Sequence, residues 1–236
     1  MHLTEVTNPQ DLSHDQLLAL YQQTSKELAR YRALAVKDQL TGLYNRHGME
    51  EEFTHVVSAN NRTGIPHYIG VALLDIDYFK KVNDTHGHDI GDRVLEHVAS
   101  IIQHVARKDE PSFRWGGEEM GVLLKIQADS KKTSWDILED LRHFGERLRE
   151  KIENTPYHNS QTNKTIPITV SVGLSVIPAS EATTFEALVK PADKLMYRVK
   201  ETGRNGVGYD LNALDCPSES LFFIRRNRPS GFAPTA

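Results

Sequence analysis

Residues 69–74 read IGVALL, an unbroken apolar run that ends in Asp75-Ile76-Asp77. Such a run belongs in the centre of a sheet rather than at a wet edge. The rest of the chain must supply the neighbours of this strand, and the pattern on either side does so. Helical periodicity runs through Ile90, Val94, Leu95, Val98, Ile101, Ile102 and Val105. SFRW and MGVLLKI then flank Gly116-Gly117, a hairpin signal. Residues 134–153 read as a helix, IPITVSVGLSVIP as a strand, and PADKLMYRVKETG as a second helix. In that last helix Pro191 suits the first turn and Gly203 the C-terminal cap. The order β-α-β-β-α-β points to an α/β (α+β) fold, an antiparallel ferredoxin-like or palm-type sheet with helices on one face.

A chain of 236 residues with 39% apolar content can bury one real core, with small appendages. The net charge of −4 argues against a sequence-independent nucleic-acid binder. YIGVALL, the longest strongly apolar stretch, is far short of the ~20 residues of a membrane helix. No basic region followed by an apolar run opens the chain, so no signal peptide is expected. Cys216 is the only cysteine and fits a reducing compartment. These features describe a soluble cytoplasmic protein.

Residues 11–37 contain no Gly or Pro and read as one helix. Leu17, Tyr21, Thr24, Leu28, Tyr31 and Ala35 are spaced four, three, four, three, four, a heptad seam of nearly three repeats. The seam predicts a parallel dimer or a docking stalk; the other reading is an amphipathic helix packed on its own domain. At the far end, residues 211–236 lose periodicity and read as a tail, with LFFI able to dock. Residues 1–39, 40–210 and 211–236 therefore divide as stalk, domain and tail.

Asp75 and Asp77 close the apolar strand, and Glu118 and Glu119 follow the Gly-Gly turn. If the two strands are neighbours, three or four carboxylates converge and repel unless a cation joins them. Hard oxygen ligands without His or Cys favour magnesium or manganese. Two such metals at strand ends are a common solution for nucleotidyl transfer. Lys80 follows Asp77, and Lys200 and Arg204 stand four apart around a helix end, the charges suited to phosphates. Asn83 and Asp92 suit guanine, whose N1–H and N2–H₂ donors a carboxylate can accept together.

DQLTGLYNR, LLDIDYFKKVNDTHGHDIGDRVL, RWGGEEM and PADKLMYRVKETGRNGV, in this order, resemble the four signature blocks of GGDEF-domain diguanylate cyclases across residues 38–208. The resemblance implies condensation of two GTP into cyclic di-GMP with loss of two pyrophosphates, in bacterial second-messenger signalling. It implies two Mg²⁺ or Mn²⁺ ions per site, held by Asp75, Glu118 and the Ile76 carbonyl, with Glu119 as an additional ligand. Glu118 stands where the family places its base for the ribose 3′-hydroxyl. Asn83 and Asp92 would read guanine with His88 lining the same site. The Phe79 backbone, Lys80, Lys200 and Arg204 would approach the phosphates. The chain departs from the pattern at Glu118, at Met120, and upstream, where the family's inhibitory Arg-x-x-Asp site becomes Arg107-Lys108-Asp109-Glu110. That degenerate site is expected to bind product weakly, the longer Glu110 reaching outward. A homodimer, and a regulatory protein bound at the stalk, are the expected partners. The alternative is a non-catalytic GGDEF module that binds GTP or cyclic di-GMP and acts by contact. A cyclase that also accepts ATP is disfavoured by Asp92.

Overall fold

The computed structural model describes residues 13–60, 67–127, 132–210 and 221–225. Cys216 and most of the segment read as a tail lie outside them. The apolar run forms strand β1 (His67–Ile76). Two helices follow, α3 (Phe79–His86) and α4 (His88–Val105), then a hairpin of β2 (Ser112–Gly116) and β3 (Glu119–Gln127). Helix α5 (Ser134–Glu153) leads through a small hairpin, β4 (Tyr157–Asn159) and β5 (Lys164–Ile166), into β6 (Val170–Pro178). Helix α6 (Phe185–Glu201) and strand β7 (Gly206–Asp210) complete the fold, and β8 (Leu221–Arg225) adds to its edge. Ahead of β1 lie α1 (His14–Val36) and α2 (Arg46–Asn60).

The main sheet has six strands in the order β2-β3-β1-β6-β7-β8. β1 is central and antiparallel to both β3 and β6, while β6 and β7 run parallel. The two faces of β1 feed two cores. Ala72, Leu74 and Ile76 pack with Val94, Val98 and Ile102 of α4 and Leu141, Phe144 and Leu148 of α5. Ile69, Val71 and Leu73 pack with Met49 and Phe53 of α2 and Phe185, Leu188 and Met196 of α6. Helices therefore cover both faces, not one. A strand apolar at both parities needs an apolar layer on each side.

The sequence placed α5 at its observed bounds, and a capping box explains the sharp start. Thr133 Oγ1 accepts the Asp136 N–H, and the Asp136 carboxylate accepts the Thr133 N–H at 2.8 Å. Pro191 lies inside α6 rather than in its first turn. The helix starts earlier because the Thr184 hydroxyl accepts the Ala187 N–H at 3.2 Å. Gly203 does end the helix, at φ +122°, with the Arg204 N–H closing back on the Val199 carbonyl at 2.9 Å. The segment read as a tail contributes β8 as an edge strand, antiparallel to β7.

The stalk is not packed along its own domain. Leu17, Tyr21, Thr24, Leu28, Tyr31 and Ala35 are all exposed, Tyr21 at 71% and Tyr31 at 69%. Among the described residues it is anchored at its C-terminal end, where Asn45 is the main joint. The Asn45 N–H donates to the Val36 carbonyl at 2.9 Å and its amide Nδ2 to the Ala35 carbonyl at 2.8 Å. The Asn45 Oδ1 then accepts the Gly48 N–H at 2.8 Å, so one side chain ends α1 and begins α2. Among the described residues no helix is long and apolar enough to cross a membrane.

Candidate active site

The end of β1, the tip of the β2–β3 hairpin and the turn after α6 meet at one end of the sheet. Asp75 pairs in register with Glu119 on one side and Ser171 on the other. Its Oδ2 lies 2.7 Å from Lys200 Nζ. Burial pushes the Asp75 carboxyl up from the ordinary carboxylate range; Lys200 opposes this, and the charges of Glu118 and Asp77 add to it. Burial also raises Glu119, helped by Asp75, and by Asp193 of α6, which sequence reasoning had not singled out. Ile76 ends β1 with its side chain buried.

Asp77 is turned away from this group. It is 6% exposed and accepts three hydrogen bonds, from Ser171 Oγ at 2.7 Å, Thr169 Oγ1 at 2.8 Å and the Asn205 N–H at 2.9 Å. Of the three or four carboxylates expected to converge, Asp77 is thus engaged elsewhere. Among the described residues no three metal-ligating side chains stand together closely enough to hold an ion. The Lys200 ammonium supplies the positive charge beside Asp75, and Asp77 is consumed by the core.

Next to this group lies a cavity of about 390 Å³. Phe79, Lys80, Asn83, His88, Asp92 and Glu118 all line it, together with Arg114 and Gly117. Six expected site residues thus share one cavity, and Glu118 belongs both to it and to the acidic group. Lys80 is exposed and 3.4 Å from Asp84, an ion pair worth little in water. His88 and Asp92 are exposed on the first turns of α4, so this end of the cavity is open rather than buried. Asn83 Oδ1 is buried without a hydrogen-bond partner among the described residues. It fills the space a Cβ at Gly91 would occupy.

Arg114 is the main residue that sequence reasoning passed over. Its Nη1 holds both carboxylate oxygens of Asp38, at 3.0 and 3.1 Å, and its Nε donates to the Gly117 carbonyl at 2.9 Å. It therefore ties the hairpin tip to the end of the stalk. No local pattern announces a partner 76 residues away. In the turn after α6, Arg204 rests over the Tyr78 ring, 4.5 Å from its centroid. Arg107 and Glu110 sit elsewhere, in the turn between α4 and β2. The Glu110 carboxylate does not reach outward. It is folded in, 6% exposed on its side chain, and accepts the Arg107 N–H at 2.8 Å.

The sequence profile described as "Diguanylate cyclase, GGDEF domain" matches residues 35–206. This chain belongs to the GGDEF-domain family. "Response regulator PleD" of Caulobacter vibrioides is 38% identical over 174 residues, 74% of this chain and 36% of that protein. This GGDEF chain thus spans about a third of the length of the first curated relatives it matches. The coiled coil and GGDEF domain of DgcB from Caulobacter crescentus, solved in complex with c-di-GMP, matches with a TM-score of 0.69 at 28% identity. The match covers 82% of this chain and 95% of that one. The diguanylate cyclase SiaD of Pseudomonas aeruginosa, solved with its activator SiaC, matches with a TM-score of 0.64 at 30% identity. That match covers 83% of this chain and 70% of SiaD. The GGDEF signature of this chain is the β2–β3 tip, with Gly117 at φ +45° and open space over both glycines. Met120, in the last signature position, points inward and is fully buried.

Proposed function

We propose that this chain is a cytoplasmic diguanylate cyclase that condenses two GTP molecules into cyclic di-GMP and two pyrophosphates. The observation that carries the reading is the position of Glu118, which lines the nucleotide-sized cavity and also bears on Asp75. In this reading Asn83 and Asp92 bind guanine beside His88, and Lys80, the Phe79 backbone, Lys200 and Arg204 hold the triphosphate. Glu118 takes the proton of the ribose 3′-hydroxyl as that oxygen attacks the α-phosphorus of the second GTP.

Asp75, Glu118, Glu119 and the Ile76 carbonyl would hold divalent magnesium or manganese, two per site. The donor chemistry fits, hard oxygens with two of the carboxyls raised by burial and a lysine ammonium beside Asp75, while the side chains would have to draw closer together around an ion. When bound, the metal would neutralise phosphate charge and acidify the attacking hydroxyl.

One domain holds one GTP and the product joins two, so two domains must face each other. The exposed seam of α1 supports a homodimer built through the stalk, and the coiled-coil region of the DgcB structure is consistent with it. The SiaD–SiaC complex supports a regulatory protein as a further partner. The inward fold of Glu110 supports weak product inhibition.

The test is incubation of the pure protein with GTP and Mg²⁺, with products identified by mass. Cyclic di-GMP is expected from the wild type, with turnover reduced ~100-fold or more in Glu118→Gln. Near-normal turnover in that variant would remove the assigned chemistry. Binding of GTP without any product would leave a nucleotide-binding module instead.

A further inference from the structure

Among the described residues, four that are not glycine have positive φ: Tyr78, Asn163, Arg204 and Asn205. Three of the four face one another across the gap between the end of β1 and the turn after α6. Left-handed backbone is uncommon for side chains as bulky as Tyr and Arg, and such outliers gather where a site over-determines its geometry. Asn163 lies in the small β4–β5 hairpin and has no part in this contact.

The two segments grip each other residue by residue. The Asp77 carboxylate accepts the Asn205 N–H at 2.9 Å. The Asn205 amide reaches the other way, its Nδ2 donating to Glu153 at 2.8 Å and its Oδ1 accepting from Arg149 at 2.9 Å. Between these anchors Arg204 lies with its guanidinium carbon 4.5 Å from the Tyr78 ring centroid, and its Nη1 is 3.5 Å from the Tyr78 hydroxyl. Tyr78 itself is 59% exposed, so its ring is not placed there by core packing. At φ 58° and ψ 26° it is the residue that turns the chain from β1 into α3. The turn that delivers Phe79 and Lys80 to the cavity therefore also sets the ring under Arg204.

We propose that Tyr78 is a positioning residue for substrate: its ring is the platform that holds the Arg204 guanidinium flat and aimed at the triphosphate. A guanidinium binds phosphate through a planar fork, and an aromatic face fixes that plane while leaving the N–H edges free. Lys200, the neighbouring cation, is held by a carboxylate; Arg204 is held by a ring. The inference deepens the proposed function and rests on the assignment of Arg204 to phosphate.

The experiment measures binding of a non-hydrolysable GTP analogue with Mg²⁺ by calorimetry, alongside the KM for GTP and the melting temperature. Tyr78→Leu keeps an apolar side chain and removes the ring, and should weaken binding roughly fivefold and raise KM in step. Tyr78→Phe keeps the platform and should stay within about twofold of wild type. In an Arg204→Ala background, Tyr78→Leu should have no further effect. A melting temperature unchanged from wild type separates this from a structural role. Should Tyr78→Leu prove unstable, Tyr78→Asn, which tolerates left-handed backbone, takes its place. Wild-type affinity in Tyr78→Leu or Tyr78→Asn, or an equal loss with and without Arg204, would overturn the inference. Absence of cyclic di-GMP from the wild type would instead overturn the enzymatic reading, because the binding comparison does not need turnover.

Discussion

Gly91 shows how little room surrounds Asn83, the residue proposed to bind guanine. A methyl group there would overlap the Asn83 amide, so Gly91→Ala has to push Asn83 out of place. Losing one or two hydrogen bonds to a buried amide costs a factor of about ten in affinity. The expected outcome is a KM for GTP raised about tenfold, with kcat less affected, in steady-state assays. Arg107 offers the opposite expectation. Because Glu110 is spent on the Arg107 backbone, cyclic di-GMP should inhibit weakly and Arg107→Ala should leave inhibition unchanged. Tight product binding that disappears in Arg107→Ala, measured by calorimetry, would contradict this. At this scale the sequence located most of the cavity lining, because Asn83, Asp92, Lys80 and Glu118 each carry a chemistry suited to a nucleotide and the family resemblance added His88 and Phe79. Residue chemistry alone does not separate Asp75 from Asp77, since both close the same strand; the family resemblance chose Asp75, and the fold adds the physical reason, Thr169, Ser171 and Asn205 claiming Asp77.

Two joints between elements decide how the hairpin tip is held. Asn45 fastens α1 to α2, and Asp38 receives Arg114, which also holds Gly117. Burial tends to raise the Asp38 carboxyl, yet hydrogen bonds from the Thr41 hydroxyl and N–H, together with Arg114, outweigh it and hold the carboxyl below its ordinary range. A depressed carboxylate stabilises the fold above its unfolded pKa and ceases to do so as pH falls through the folded value. The expected outcome is a melting temperature that drops more below about pH 4 in the wild type than in Asp38→Asn. Equal pH profiles by scanning calorimetry would remove Asp38 from the joint. The elements themselves were largely legible, since long periodic runs and the Gly-Gly turn mark α4, α5 and the hairpin. The two-sided helical cover was not. Nothing in the local pattern of α2 says which face of the sheet it takes. Pro191 misled for a related reason: an exposed helix face tolerates it inside α6, while Thr184 sets the start.

For the molecule as a whole, the exposed stalk carries the remaining prediction. Deleting residues 1–35 should lower turnover on the order of 100-fold at low protein concentration, because each site then has to find its partner by free diffusion. The melting temperature of the domain should change little, since the seam makes no contribution to either core. Full activity of the truncated chain in dilute assays would leave the seam without a role in catalysis. Anchorage at one end alone, among the described residues, has a mechanical consequence. A helix of 23 residues is about 34 Å long, and it is clamped at Asn45 and Asp38 like a beam in a wall. Tilting it by ~10° sweeps its free tip through about 6 Å while the clamp barely translates. Run in reverse, that geometry is a lever: a modest push at the tip arrives at the Asp38–Arg114 joint as torque, one salt bridge away from the glycines of the signature turn.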